Sequence, residues 1–344
     1  MNQVKTSPSA EPLFLQTIFQ TISEEKLGFR FGQPERVDEL ATAAVLPILR
    51  DVAGARQYVT FGETEQVHVS DSGVIEKVTL ENTSDDHVFL RSGTIFQGKG
   101  TQSRTNTRSA VLHPHSKVSI DARCIHQTHA IRMGSKFSFG GFTPYEVERH
   151  VYDSGFRPSD QGTYWRSVRN TSGAMNSLFR QESRHFAGAL IRHEVIPVSP
   201  ICEDNLTSHI EEFSQAFDRV LSKVALLDNQ AGIALINEHG CQNVEVFDLP
   251  GSWAALHKDA VSRMGTELLR TPKKSVFEFK PEHARDVVRE VLGLKWKQET
   301  IFEHKAKDEE LGVRITGLTA NGHVGEVVEL NRQVIHLMVL KKAD

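Results

Sequence analysis

The spacing of apolar residues along the chain changes period twice. Residues 1–12 are polar and predict a disordered lead; from Leu13 to Phe29, Leu15, Ile18, Phe19 and Ile22 then fall at helical spacing. Gly32 to Glu35 reads as a linker, and Val37 to Val52 as a second helix broken at Pro47. Between Gln57 and Phe139 the period becomes two. Gln57 to Thr60, Val67 to Ser70, Val74 to Leu80, Val88 to Arg91, Ala110 to Leu112 and Val118 to Ile120 are short and rich in β-branched or aromatic residues. Turn-forming clusters such as Asp71-Ser72-Gly73 and His113-Pro114-His115-Ser116 separate them. Many short strands without helices between them predict an antiparallel, β-rich lobe.

Helical spacing returns after a polar stretch from Pro144 to Gly162. Ser208 and Glu211 have capping-box spacing at the head of a helix whose apolar stripe runs from Ile210 to Leu227. Ala231 to Asn237 and Val244 to Asp248 resemble strands, and Trp253, Leu256, Ala260, Met264 and Leu268 predict another amphipathic helix. Pro281 and Gly293 frame a third. Asn321-Gly322, between Val313 and Leu330, is a type I′ hairpin signal, and Val334 to Leu340 is apolar enough for a central strand. The expected class is α+β: a flexible lead and accessory helix over 1–35, a β-rich lobe over 36–150, and a mixed helix/strand lobe over 151–344 that packs against it and closes with a C-terminal β-hairpin.

Composition narrows the function classes. An apolar content of 39%, with 24 Gly besides, is that of a globular protein. Forty basic against 44 acidic side chains leave a net charge of −4, so no global field recruits nucleic acid or an anionic membrane. Three separated cysteines without a C-x-x-C pair point to a reducing compartment. With no apolar signal core near the N-terminus and no apolar run long enough to span a bilayer, the expected location is the cytoplasm.

Charge is nevertheless uneven. Residues 91–136 hold eight basic side chains and one acid, a local +7 that leaves about −11 on the rest. Within this stretch Gly93, Gly98 and Lys99 are spaced as in a P-loop, but Gly100 stands where Ser or Thr must hold magnesium, and the residues that follow look extended rather than helical. Glycine backbone and guanidinium groups still suit phosphate, which makes Gly98, Lys99, Gly100, Gln102 and Arg104 candidate ligand-binding residues. The alternative is a glycine-rich turn with a solvated basic face. His113-x-His115 is a candidate pair of ligands for a divalent metal, with Asp121, Cys124, His126 and His129 nearby.

Taken with Ala44-Val-Leu-Pro-Ile-Leu, Tyr58-Val-Thr-Phe, Gly73 to Asn82, Asp228 to Gly232 and Asn321 to Leu340, the motif Gly98…Gln102-Ser-Arg104…Cys124 resembles the ARG and rhodanese-phosphatase superfamily-associated protein family. That family has Cys-x-Glu where this chain has Cys124-x-His126, which adds both residues to the candidate ligand site. The resemblance implies a link, through gene neighbourhood, to NAD-utilising and ADP-ribose pathways. The expected function is binding or processing of a phosphate-bearing nucleotide of the ADP-ribose/NAD class. An interaction or scaffold protein that meets an acidic partner or a second copy, and a metal-dependent hydrolase, are the alternatives.

Overall fold

The computed structural model describes residues 14–15, 17–36, 43–99, 101–125, 131–151, 160–173, 224–270, 280–305 and 312–342. Among them the chain is mostly β, with eighteen strands and few helices. The α+β expectation is therefore too rich in helix, although the helix expected near Ser208 lies outside the described residues.

A nine-stranded antiparallel sheet forms the frame. Its order is β1 (Phe29–Phe31), β3 (Ala44–Arg50), β13 (Gln230–Asn237), β14 (Gly240–Phe247), β18 (Gln333–Lys341), β17 (His323–Leu330), β16 (Gly312–Ala320) and β15 (Lys297–Lys305), with β2 (Glu35–Arg36) also paired to β3. Side-chain alternation divides the burial between its two faces. Val244, Val246, Leu337 and Val339 pack with the helix Pro281–Leu292 and the short helix Ile18–Ser23. On the opposite face Phe247, Met338 and Leu340 pack with the helix Pro250–Arg270 through Trp253, Leu256 and Met264.

The segment Ala44–Arg50 corrects the expected helix over Val37 to Val52. It is a strand buried at every position, and such a short apolar run has no periodicity that separates strand from helix. Pro47 is tolerated because β1 pairs with β3 as far as Ile48 and β2 resumes at Val45, which leaves Pro47 opposite a gap in that ladder. β3 is hydrogen-bonded to β13, so strands from both sides of residue 150 share this sheet. Everything between them in sequence is one long connection between neighbouring strands.

That connection contains the second half of the architecture. β5 (Val67–Asp71), β6 (Lys77–Asn82), β8 (Thr94–Gly98), β9 (Arg104–Asn106), β11 (Ser116–Cys124) and β12 (Lys136–Phe142) close into a barrel in the order β11-β6-β5-β12-β8-β9. Val69, Val78, Leu80, Phe96 and Ala122 belong to its core. β4 (Val59–Thr60), β7 (Val88–Leu90) and β10 (Ala110–Leu112) form a small sheet, in which β4 and β7 run parallel.

The expected hairpin at Asn321-Gly322 is present, joining β16 to β17. Its turn differs from the expected type I′: Gly322 has φ of +67° but Asn321 is not left-handed, and type I′ needs positive φ at both central residues. Asn331 and Arg332, with φ of 54° and 64°, meet that requirement in the next hairpin, between β17 and β18.

Candidate functional site at the mouth of the barrel

Strands β5, β8 and β11 run toward one end of the barrel and β6, β9 and β12 run away from it, so loops 72–76, 99–103 and 131–135 meet there. Arg104 pairs directly with Cys124 across β9 and β11, which turns both side chains to the same face as the core residue Ala122. Asp71 lies at the end of β5, two residues beyond the core residue Val69.

Asp71 is the hub of this end. Its carboxylate accepts from Thr101 Oγ1 at 2.7 Å, from the Gly73 amide at 2.9 Å and from the Arg132 amide at 3.4 Å, one donor from each rim loop. The Arg104 guanidinium completes the set at 3.4 Å and also donates to the carbonyls of Val74 and Ile75. Both members of this ion pair are fully buried. A buried charge without a partner is heavily penalised, and the Asp71 pairing supplies that partner to Arg104, whose Nε is left without a hydrogen bond.

The other expected ligands divide. The Gly98 amide donates to Ser103 Oγ at 3.2 Å and is likewise occupied. Gln102 is buried, and its Oε1 has no hydrogen-bond partner. Cys124 lies beside Arg104; burial pushes its thiol up to about 11, so it is a neutral wall rather than a nucleophile. Its backbone N–H and C=O are both bonded by the Gln161 amide at 2.9 Å. Gly100 and His126 lie outside the described residues.

Lys99 remains exposed, and the structure gives it neighbours that the loop motif did not include. The β12–β8 ladder ends at Phe137 opposite Gly98; Lys136, which pairs with Ser70 of β5, and Lys99 both lie just beyond that end. Arg132 stands on the adjoining loop, and none of these three exposed cations forms an ion pair among the described residues. Much of the remaining +7 is spent elsewhere: Arg91 and Arg123 are buried, and Lys117 is paired with Glu81 at 2.9 Å.

The expected metal pair does not converge. His115 turns outward to Asp85 at 2.8 Å. His113 Nδ1 instead lies 3.2 Å from His87 Nε2, with the ring of His304 at 4.8 Å between centroids. Left-handed φ at His115, +50°, turns the backbone between the two rings. Among the described residues no group of three or more His, Cys, Asp or Glu is placed to hold a metal ion.

The sequence reading missed a second polar constellation where the barrel connection docks on the large sheet. Glu245 of β14 and Glu326 of β17 flank Met338 in one row across three strands. Arg91 and Tyr145 both bond the Glu245 carboxylate, and His336 Nε2 meets it at 2.9 Å. Desolvation opposes the charge on Glu245, but Arg91 and His336 outweigh it and hold the carboxyl down at about 2. Ser109 bonds Glu326 through both its hydroxyl and its amide. Nearby, Arg263 pairs with Glu148, donates to the Thr143 carbonyl at 2.8 Å and lies 4.6 Å over the Tyr145 ring. Acids set between apolar or glycine neighbours, as in Val244-Glu245-Val246 and Gly325-Glu326-Val327, were the available signal.

A family model, that of the ARG and Rhodanese-Phosphatase-superfamily-associated Protein domain, matches residues 28–340. The chain belongs to this family. No curated protein and no solved structure matches. The family match runs through the sheet and the barrel alike, so both are parts of the ARG and Rhodanese-Phosphatase-superfamily-associated domain. No helix among the described residues is long and apolar enough to cross a membrane.

Proposed function

We propose that this protein binds a phosphate-bearing ligand, of the ADP-ribose/NAD class, at the barrel mouth. The observation that carries the reading is the presence of three exposed cations, Lys99, Arg132 and Lys136, at one end of the barrel, none of them in an ion pair among the described residues. A pyrophosphate held by them makes charge-assisted hydrogen bonds. Gln102 adds a buried acceptor without a donor in the same loop. Arg104 acts from below as a positioning residue, since it holds Asp71 and Asp71 holds the rim.

The test is thermal unfolding with and without ADP-ribose, NAD and inorganic pyrophosphate, because a ligand that binds only the native state raises its midpoint. Lys99→Ala combined with Lys136→Ala abolishes the shift and leaves the midpoint of the free protein unchanged. Absence of any shift, or a shift of equal size in the double variant, refutes the proposal. A response to pyrophosphate equal to that for ADP-ribose reduces it to anion binding without nucleotide selectivity.

A further inference from the structure

The rim carries more than charge. Met133 is 82% exposed, Val74 50% and Ile131 37%, and all three stand at the same end of the barrel as Lys99, Arg132 and Lys136. Gly73 brings two of the loops together: a β-carbon on it would lie 3.3 Å from the Met133 side chain. Contiguous exposed apolar groups flanked by polar ones mark interaction sites. Here they lie on two of the rim loops, and the Asp71 hydrogen bonds tie the three rim loops together. Exposed apolar side chains at the same end as long cationic ones match a surface that is apolar inside and anionic at its boundary. The cations stay at the level of the headgroups while the tips enter.

We infer that the barrel mouth docks on an anionic phospholipid surface, with Val74, Ile131 and Met133 inserted at the interface and Lys99, Arg132 and Lys136 on the headgroup phosphates. The inference rests on the phosphate affinity assigned above to the same cations. Glu76 is the acid on the rim loops that opposes it, and it leaves the three-cation rim net positive. The neutral-to-acidic composition of the whole chain hides this patch, because the field that matters acts within a Debye length of the rim. Each cation near an anionic leaflet contributes about fivefold to partitioning, so three give on the order of a hundredfold preference over a neutral one.

The experiment is co-sedimentation of the full chain with phosphatidylcholine vesicles, with and without phosphatidylserine, at low and high salt. The protein pellets with the anionic vesicles, is released by salt and ignores the neutral ones. Met133→Ser with Val74→Ser weakens vesicle binding about tenfold or more, keeps the thermal midpoint of the free protein and keeps the response to soluble ADP-ribose. Equal binding to both vesicle types, no binding to either, or unchanged binding by the serine variant overturns the inference. So does capture by polyglutamate in preference to anionic vesicles, which assigns the rim to an acidic protein. If ADP-ribose binds and vesicles do not, the ligand reading stands and this inference fails. Binding to anionic vesicles without any response to ADP-ribose or NAD supports the membrane role and removes the nucleotide one.

Discussion

Replacing Arg91 with Met removes the counter-charge of a carboxylate with no access to water. Glu245 and Arg91 are 0% and 1% exposed. Depression of the Glu245 carboxyl from 4.5 to about 2 corresponds to roughly 3 kcal/mol of stability at neutral pH. Breaking a buried pair from one side costs about 3–5 kcal/mol by comparison with other proteins, which agrees. The sign follows from the direction of the shift. A carboxyl with a depressed folded value contributes fully above about 4.5, and the contribution is lost as pH falls through 4.5 toward about 2. In Arg91→Met, burial without the guanidinium pushes Glu245 upward, so the variant takes up a proton as the solution is acidified. The deficit relative to wild type is therefore largest at pH 7 and shrinks toward pH 4.5. Urea unfolding at both pH values measures it. A loss below about 1 kcal/mol at pH 7, or a deficit independent of pH, refutes this account of the anchor. Combining Arg91→Met with Glu245→Leu recovers part of the loss, since neither charge is then stranded while the Tyr145 hydroxyl and His336 Nε2 lose their partner.

Gly93→Ala is severe, by about 3 kcal/mol, because Gly93 has φ of +74° and a β-carbon there would lie 2.6 Å from Arg263 Nη2 and Thr143 Oγ1. Gly134→Ala, at φ of +77° in open space, costs only about 1 kcal/mol, and similar unfolding midpoints for the two variants contradict the argument. Burial lowers the pKa values of both His87 and His113, with His87 and His304 adding to the effect on His113, so their contribution is present above about 6.5 and lost as pH falls below it. His113→Phe flattens the fall of the thermal midpoint between pH 7 and 5, and an unchanged slope rules the cluster out as its source. Arg332→Gly stabilises the protein by about 0.5–1 kcal/mol in denaturant unfolding, because both central positions of its turn are left-handed; a destabilisation shows that the Arg332 side chain has another role.

The strands that are legible in the sequence are short β-branched or aromatic runs bounded by turn residues. Ala110 to Leu112 matches its strand to the residue, and Val67 and Val69 alternate as a half-buried strand must. The helix framed by Pro281 and Gly293 is equally clear, since both of its ends carry their own signals. β3 is not legible because its apolar run, interrupted by Pro47, has no period that separates strand from helix, nor β15 because its exposed positions leave no apolar stripe. For the candidate site, the sequence marks the basic stretch, Lys99 and Arg104, but not the pairing of Arg104 with Asp71, 33 residues away.

By itself, then, the sequence determined the local facts: period-two strands through the first half, framed helices in the second, a hairpin at Asn321-Gly322, and an excess of positive charge between residues 91 and 136. Those depend on neighbours within a few residues, where spacing and backbone preference act. Only the tertiary structure decided which charges are spent and which remain. Arg91 is matched with Glu245 across 154 residues and Arg104 with Asp71 across the barrel, while Lys99, Arg132 and Lys136 are gathered exposed at one end of the barrel. Burial sets the value of a charge, and burial is fixed by how the sheet, the barrel and the helices pack together.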